Sequence, residues 1–449
     1  MENGSLIKRE RKTGKSPEQI FLGITLVFGI LAALLIPPLT MGDEGYHLSY
    51  SYNIFSSQHP KVMTKDAVRA KELIAIGNDN NGHVSVDFYK KMLTDKVNLQ
   101  NDGIGFSIFH KSGGFLAIDI MHLPAAIGVL VARMIYPSIG IMNLGGRIAN
   151  LLFFCFIFFF IIRKTQFKWS FILIFTMTNL QKIPSPSYDV FSYLAFAVFI
   201  LNLFELARIP RIRDLGYKRL LFSLVTVLLL ILSKENYLFA LFSFLGLPMI
   251  YEPLLTFFKK QNTPIKAFLG VISSGFLIFC FYLVNQKIPV LRAIKSFINN
   301  YMNVEIMGNN AKQVWDLVPT NLPGFVNLLF ILVLFVVIMA EFKIEWKKGT
   351  LILFAMTYLL NWFGIFLGFY RGNPEAAALN LQGRYLSPFV VLFVPLIQNI
   401  ADKIHVKISE KGIRRLAVWT MITIMALYLV VTLYRGYVLN VTPTWTNNA

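Results

Sequence analysis

Mostly apolar stretches of the kind that carry an α-helix across a hydrocarbon core of about 30 Å recur along this chain. They lie near 19–37, 141–162, 168–183, 188–207, 218–234, 236–251, 266–284, 324–341, 350–370, 385–401 and 414–434. A chain so patterned cannot close around one water-soluble core, because too little polar surface is left to cover it. Composition agrees: 55% of the 449 residues are hydrophobic, 41 are Phe, and only 15% are charged, against about 25% in soluble domains. An all-α polytopic membrane protein is expected. Cys155 and Cys280 both sit in apolar runs, so no disulfide framework or cysteine metal cluster is implied.

The formal charge of +19 could suggest nucleic acid, but its distribution explains it otherwise. Short cytoplasmic loops collect Lys and Arg. With the N-terminal cluster Lys8, Arg9, Arg11, Lys12 and Lys15 placed inside, the alternate connections hold Arg163/Lys164/Lys168, Arg208/Arg211/Arg213/Lys218/Arg219, Lys259/Lys260/Lys266, Lys343/Lys347/Lys348 and Lys403/Lys407/Lys411/Arg414/Arg415. The opposite, short connections hold only Lys182, Lys234, Arg371 and Arg384. This alternation survives only if the apolar run 115–135, which carries Asp119, His122, Pro124 and Arg133, lies in or dips into the outer interface. The expected layout is therefore a basic cytoplasmic tail (1–18), a first span (19–37), a first extracellular loop with interfacial helices (38–140), spans two to seven (141–284), a second large loop (285–323), spans eight to eleven (324–434) and an extracellular tail (435–449). The first apolar run is too long for a cleavable signal peptide and lacks a small-residue cleavage site. The lipid bilayer is the expected partner and nucleic acid is not. Polar turns at GNDNNGH (77–83) and NDGIG (101–105) and the Asn-rich stretch from Asn299 to Asn321 mark the two loops.

Chemistry is expected where these loops meet the outer ends of the spans. In GDEGYHLSYSYNIF (42–55), Asp43 and His47 share a helix face and Glu44 points about 100° away. Adjacent carboxylates there can supply a general base and a ligand for substrate or metal; the same pattern also fits Asp43 as an N-cap. It is not an HExxH zinc motif. On the same side lie Arg147, Ser185-Pro186-Ser187-Tyr188-Asp189, Lys234-Glu235-Asn236, Arg371 and Gln382-Gly383-Arg384-Tyr385. Ionisable groups near membrane depth are functional candidates, although each alone could snorkel, cap a helix or face solvent. Together, an acidic pair and several cations suit a lipid-linked phosphate beside a base. His83, His110 and His122 have no metal-ligand spacing, and FFCFIFFF (153–160) is lipid-facing or core-filling. No phosphate-binding glycine loop is present.

The Asp-Glu pair past the first span with a His three residues beyond the Glu, the apolar FLAIDIMHLPAAIGVLVARM (115–134) and the span opening LGGRIANLL (144–152) resemble the GT-C glycosyltransferases. PxxxGDEGYH (38–47), SPSYDVFSYLAF (185–196), SKENYLFALFSFLGLP (233–248) and QGRYLSPFVVLFVPL (382–396) are more similar still to a bacterial multi-pass family catalogued as a domain of unknown function and associated with surface-polysaccharide and teichoic-acid genes. Glu235 stands where that family commonly has proline, and the proline-rich form of 115–124 is reduced to Pro124.

The resemblance implies a GT-C fold of about eleven spans in a bacterial cell membrane, with an extracellular site. It implies transfer of a sugar from a polyprenyl-phosphate donor to a wall or surface polysaccharide or teichoic acid, with inversion. Asp43 would be the general base and Glu44 would orient the acceptor or, with Asp43, hold a divalent cation (Mg or Mn), no cofactor being certain. Arg384, Lys234 and Arg147 would neutralise the donor phosphate. His47, Tyr188, Asp189, Gln382 and Tyr385 would bind sugar or acceptor. The rival from another class is a transporter or flippase for a lipid-linked glycan, or an assembly partner. A transporter often shows duplicated halves with broken helices, and no duplication is visible.

Overall fold

The computed structural model describes residues 15–41, 43–57, 86–97, 102–106, 116–301, 316–319, 321–370, 381, 383–401 and 408–439. Gln382, Arg371, His83, His110 and the 77–83 turn lie outside them. The described residues are helical with two isolated β-bridges, Ser56–Ile104 and Lys96–Ser138.

The first helix, α1 (Pro17–Leu35), begins with proline at its first turn, where a missing N–H costs nothing, and the Gln19 side chain accepts the Ser16 N–H at 2.9 Å. It stops at Ile36-Pro37-Pro38, since proline forces its predecessor out of helical geometry. The chain then turns through Leu39 and Asp43, both at positive φ, into the short helix α2 (Glu44–Ile54). Helices α3 (Val86–Thr94), α4 (Leu116–Ile135) and α5 (Ile139–Lys164) follow. Further along come α6 (Lys168–Ile172), which runs into a π-helical turn at Leu173–Met177, α7 (Asp189–Leu206) and α8 (Tyr217–Ile231). The 3-10 segment Glu235–Gly246 bends by 57° into α9 (Pro248–Lys260). The remainder comprises α10 (Thr263–Lys287), α11 (Val290–Tyr301), α12 (Gly324–Ala340), α13 (Lys348–Tyr370), the 3-10 turns Gly383–Tyr385 and Ser387–Phe393, α14 (Val394–Ala401) and α15 (Glu410–Leu433).

Each of the eleven apolar runs coincides with a helical segment. Fewer pass a test of length and apolar composition for crossing a membrane. Among the described residues seven helices do, or eight if the bent pair counts as one span. The run 115–135, expected to lie in the interface, is one of the seven. Its polar residues Asp119, His122 and Arg133 are all buried within the protein, which leaves an apolar outer face. At the other extreme, α10 buries none of its residues against the protein, as suits a lipid-facing helix.

A core rich in aromatic rings fixes the bundle. Phe154 and Phe158 of α5 are fully buried against Phe21 of α1, whereas Phe156 and Phe160, on the far face of α5, are exposed. The Phe run is thus both core and outward surface, divided by helical periodicity. Helices α4 and α5 meet through glycine. A Cβ at Gly128 would lie 2.1 Å from the Gly145 carbonyl oxygen, and one at Gly145 would lie 2.3 Å from that of Gly128. Small residues let helix backbones approach in this way. The approach holds α4 against the start of α5 and so brings His122 to α2. Arg133 fastens the other end of α4, donating to the Asp102 carbonyl at 2.7 Å and stacking its guanidinium on Tyr52.

Candidate functional site

One face of α5 organises this end of the bundle. Asn143, Arg147 and Asn150 are spaced four and three residues apart, so their side chains line up. Arg147 donates from Nε to Glu44 Oε1 at 2.6 Å and from Nη2 to Glu44 Oε2 at 2.9 Å. Its other donors reach the carbonyls of Ala33, Ile36 and Pro37 at 2.9, 2.5 and 2.8 Å. These carbonyls lie at and just past the α1 terminus, where the helix leaves acceptors that need partners when buried, and that of Pro37 also accepts from the Thr40 hydroxyl. All five guanidinium donors are therefore committed. Glu44 also accepts from Asn143 at 3.0 Å and from the Met41 N–H at 3.2 Å. The pair is a fully satisfied clasp joining α1, α2 and α5. Asn150 completes the stripe by donating to the carbonyls of Ser185 and Ser187 at 2.7 and 2.9 Å.

Asp43 has a different fate. It occupies the N-cap position of α2 in left-handed geometry, yet its side chain makes no capping bond. The cap explanation thus fails for the side chain. The carboxylate is 41% exposed and meets Arg384 Nη2 at 3.2 Å and Lys182 Nζ at 4.0 Å, both on Oδ2. Lys182 stands in the turn after the π-helical segment, a distortion common at functional sites. Arg384 also faces Asp189, with Nη1 3.9 Å from Oδ2, and Asp189 Oδ1 meets Lys234 Nζ at 2.5 Å. Lys234 sits over the rings of Tyr188 and Tyr385, 5.2 and 4.8 Å from their centres. The Arg384 turn is anchored where Asn236 and Asn361 both donate to the Tyr385 carbonyl at 3.4 Å. Among the described residues, three basic side chains and two carboxylates thus converge.

Beside this cluster runs a chain of buried hydrogen bonds. His122 Nδ1 lies 2.7 Å from the Ile118 carbonyl, which assigns the proton to Nδ1 and leaves Nε2 as acceptor. His47 Nδ1 then donates to it at 3.0 Å, and the Ser187 hydroxyl donates to His47 Nε2 at 3.2 Å. The Ser187 oxygen accepts the Asp189 N–H at 3.2 Å. The chain locks α2, α4 and the 185–189 turn together, with Tyr50 stacked on His122 and Tyr188 edge-on to His47.

Burial, and then His122 and Lys182, push the His47 pKa well below the ordinary imidazole value. An unfolded histidine takes up its proton near pH 6.5. As pH falls through that value the unfolded chain binds protons that folded His47 refuses, so stability drops. Between pH 7 and pH 5 the apparent melting temperature of the purified protein is expected to fall more steeply for the wild type than for His47→Gln. Equal slopes would show that His47 does not carry this dependence.

The structure thus brings together Asp43, Asp189, Lys234, Arg384, Tyr188, Tyr385 and His47, and adds Lys182, His122 and Ser187. It separates Glu44 and Arg147, which hold each other beneath the cluster. Asp43 and Glu44, expected as a divalent-cation pair, point to different partners: Asp43 to Arg384 and Lys182, and Glu44 to Arg147, Asn143 and the Met41 N–H. Among the described residues no three His, Cys, Asp or Glu side chains form a metal set.

Fold and site together define a multi-helix membrane protein with an ionic site at one end. The chain belongs to the family described as "Predicted membrane protein (DUF2142)", which matches residues 26–393. No curated protein matches the chain, and no solved structure does.

Proposed function

We propose that this chain is a GT-C-type glycosyltransferase of eleven spans, moving a sugar from a polyprenyl-phosphate donor to a wall or surface polysaccharide or teichoic acid. The N-terminus would be cytoplasmic and the site on the outer face of a bacterial cell membrane, as the Lys/Arg alternation indicates. The observation that carries the reading is the half-exposed Asp43 carboxylate set directly against Arg384 and Lys182. A base and an anion-binding group must lie side by side for this transfer.

The acceptor hydroxyl gives its proton to Asp43 as its oxygen bonds to the anomeric carbon. The bond from that carbon to the phosphate oxygen breaks, and its electron pair leaves with polyprenyl phosphate. A phosphodiester with one negative charge thus becomes a monoester with nearly two. Arg384 and Lys234 would stabilise the charge that develops, which is the electrostatic contribution that usually dominates. Tyr188, Tyr385, Asp189 and Gln382 remain the sugar- and acceptor-binding set, with His47 ordering the turn that carries Tyr188 and Asp189. Arg147 and Glu44 are reassigned to support, because no donor of Arg147 is left for a phosphate.

Arg384→Ala is expected to slow release of polyprenyl phosphate from a supplied donor by about 10²–10³-fold at equal protein level. Unchanged turnover would remove Arg384 from the phosphate site.

A further inference from the structure

Two cations on separate elements meet a single oxygen, Asp43 Oδ2: Arg384 from the 3-10 turn and Lys182 from the turn before α7. Both are largely buried, Lys182 with 3% and Arg384 with 21% of the side chain exposed. Arg384 Nε is buried with no hydrogen-bond partner. Asp43 is the only one of the cluster's carboxylates that can leave. It makes no bond to its own helix and is 41% exposed, whereas Asp189 is 2% exposed and held by Lys234.

We propose that Lys182 and Arg384 form an anion site for a phosphate oxygen, and that Asp43 Oδ2 fills this site until the phosphate displaces it. The inference rests on the glycosyltransferase reading and deepens it by coupling donor binding to the release of the base. While Asp43 is paired with two cations, its Oδ2 faces them rather than an acceptor hydroxyl. A phosphate arriving from the open side supplies the negative oxygen these cations need. Asp43 swings free about its unbonded side chain and becomes available to the acceptor hydroxyl. The base is thereby masked whenever no donor phosphate is bound, so the donor binds before the acceptor is activated. Lys182 becomes a binding residue that the linear sequence does not single out among the outer cations.

Self-occupation of a site lowers its apparent affinity by the fraction of molecules in which it is open. Removing the occupant's charge should therefore tighten phosphate binding, although it removes the base. The test uses full-length protein in lipid nanodiscs, titrated calorimetrically with farnesyl phosphate and separately with inorganic phosphate. Asp43→Asn is expected to bind farnesyl phosphate about ten-fold more tightly than the wild type, and adding Lys182→Met should abolish that gain. Asp43→Ala serves as a second variant and should show the same gain. A gain with both titrants assigns recognition to phosphate itself, and a gain with farnesyl phosphate alone assigns it to the lipid-linked form; either supports the proposal. Equal or weaker binding by both Asp43 variants overturns it. A gain in binding with no sugar transfer by the wild type would sink the glycosyltransferase reading and leave the exchange standing. Transfer without the gain would sink the exchange alone.

Discussion

Glu44→Ala is expected to remove most folded protein from the membrane, while Asp43→Asn, one residue earlier, leaves the amount unchanged. Glu44 is fully buried and its carboxylate neutralises Arg147 through two parallel hydrogen bonds. Deleting one partner of a buried ion pair strands the other charge, at a cost of about 3–5 kcal/mol. That is a large share of the roughly 5–15 kcal/mol by which a typical protein is stable. Replacing both partners, as Glu44→Leu with Arg147→Met, should recover only part of the loss. The stranded charge disappears, but the carbonyls of Ala33 and Ile36 lose their donor, while Pro37 keeps the Thr40 hydroxyl. Membrane protein level and monodispersity in detergent read the outcome. A Glu44→Ala protein that is abundant and monodisperse would show that the clasp is dispensable.

Asp43→Asn should behave in the opposite way, with normal folding and transfer reduced by about 10²–10⁴-fold, the range for loss of a general base. Its side chain makes no capping bond and is partly open to solvent, so folding has little to lose. The amide keeps the size of the carboxylate and removes its capacity to take a proton. Turnover measured against donor concentration separates this from a binding defect: kcat falls while donor affinity holds or improves. A fall in donor affinity with kcat unchanged would place Asp43 in binding and leave the base unassigned.

The contrast between these neighbours also shows how far sequence carries. Each apolar run marked a helical segment, because burial in lipid demands such runs, whereas the helices α2, α3 and α11 lie outside them. DEGYH, SPSYD and QGRY pointed to the elements that converge, since ionisable groups at membrane depth are costly. The separate roles of Asp43 and Glu44 were not legible, because one residue at positive φ turns the two carboxylates to different neighbours. The sequence suggests a phosphate ligand at Arg147 because it does not reveal that α1 ends beside it with carbonyls in need of donors. Asn143, Arg147 and Asn150 at helical spacing were the available signal of an organising stripe. His47 and His122, 75 residues apart, meet where α2 packs on α4, which no local spacing encodes. Lys182 reads in the sequence as one of a few outer cations, since its approach to Asp43 depends on the turn that follows the π-helical segment.

The most direct test of the central claim is the sugar composition of isolated wall and surface glycans. Three strains suffice: wild type, a deletion, and the deletion carrying Asp43→Asn at matched membrane level. The account predicts a sugar that is present in the wild type and missing from both others. Full restoration of that sugar by Asp43→Asn would contradict it.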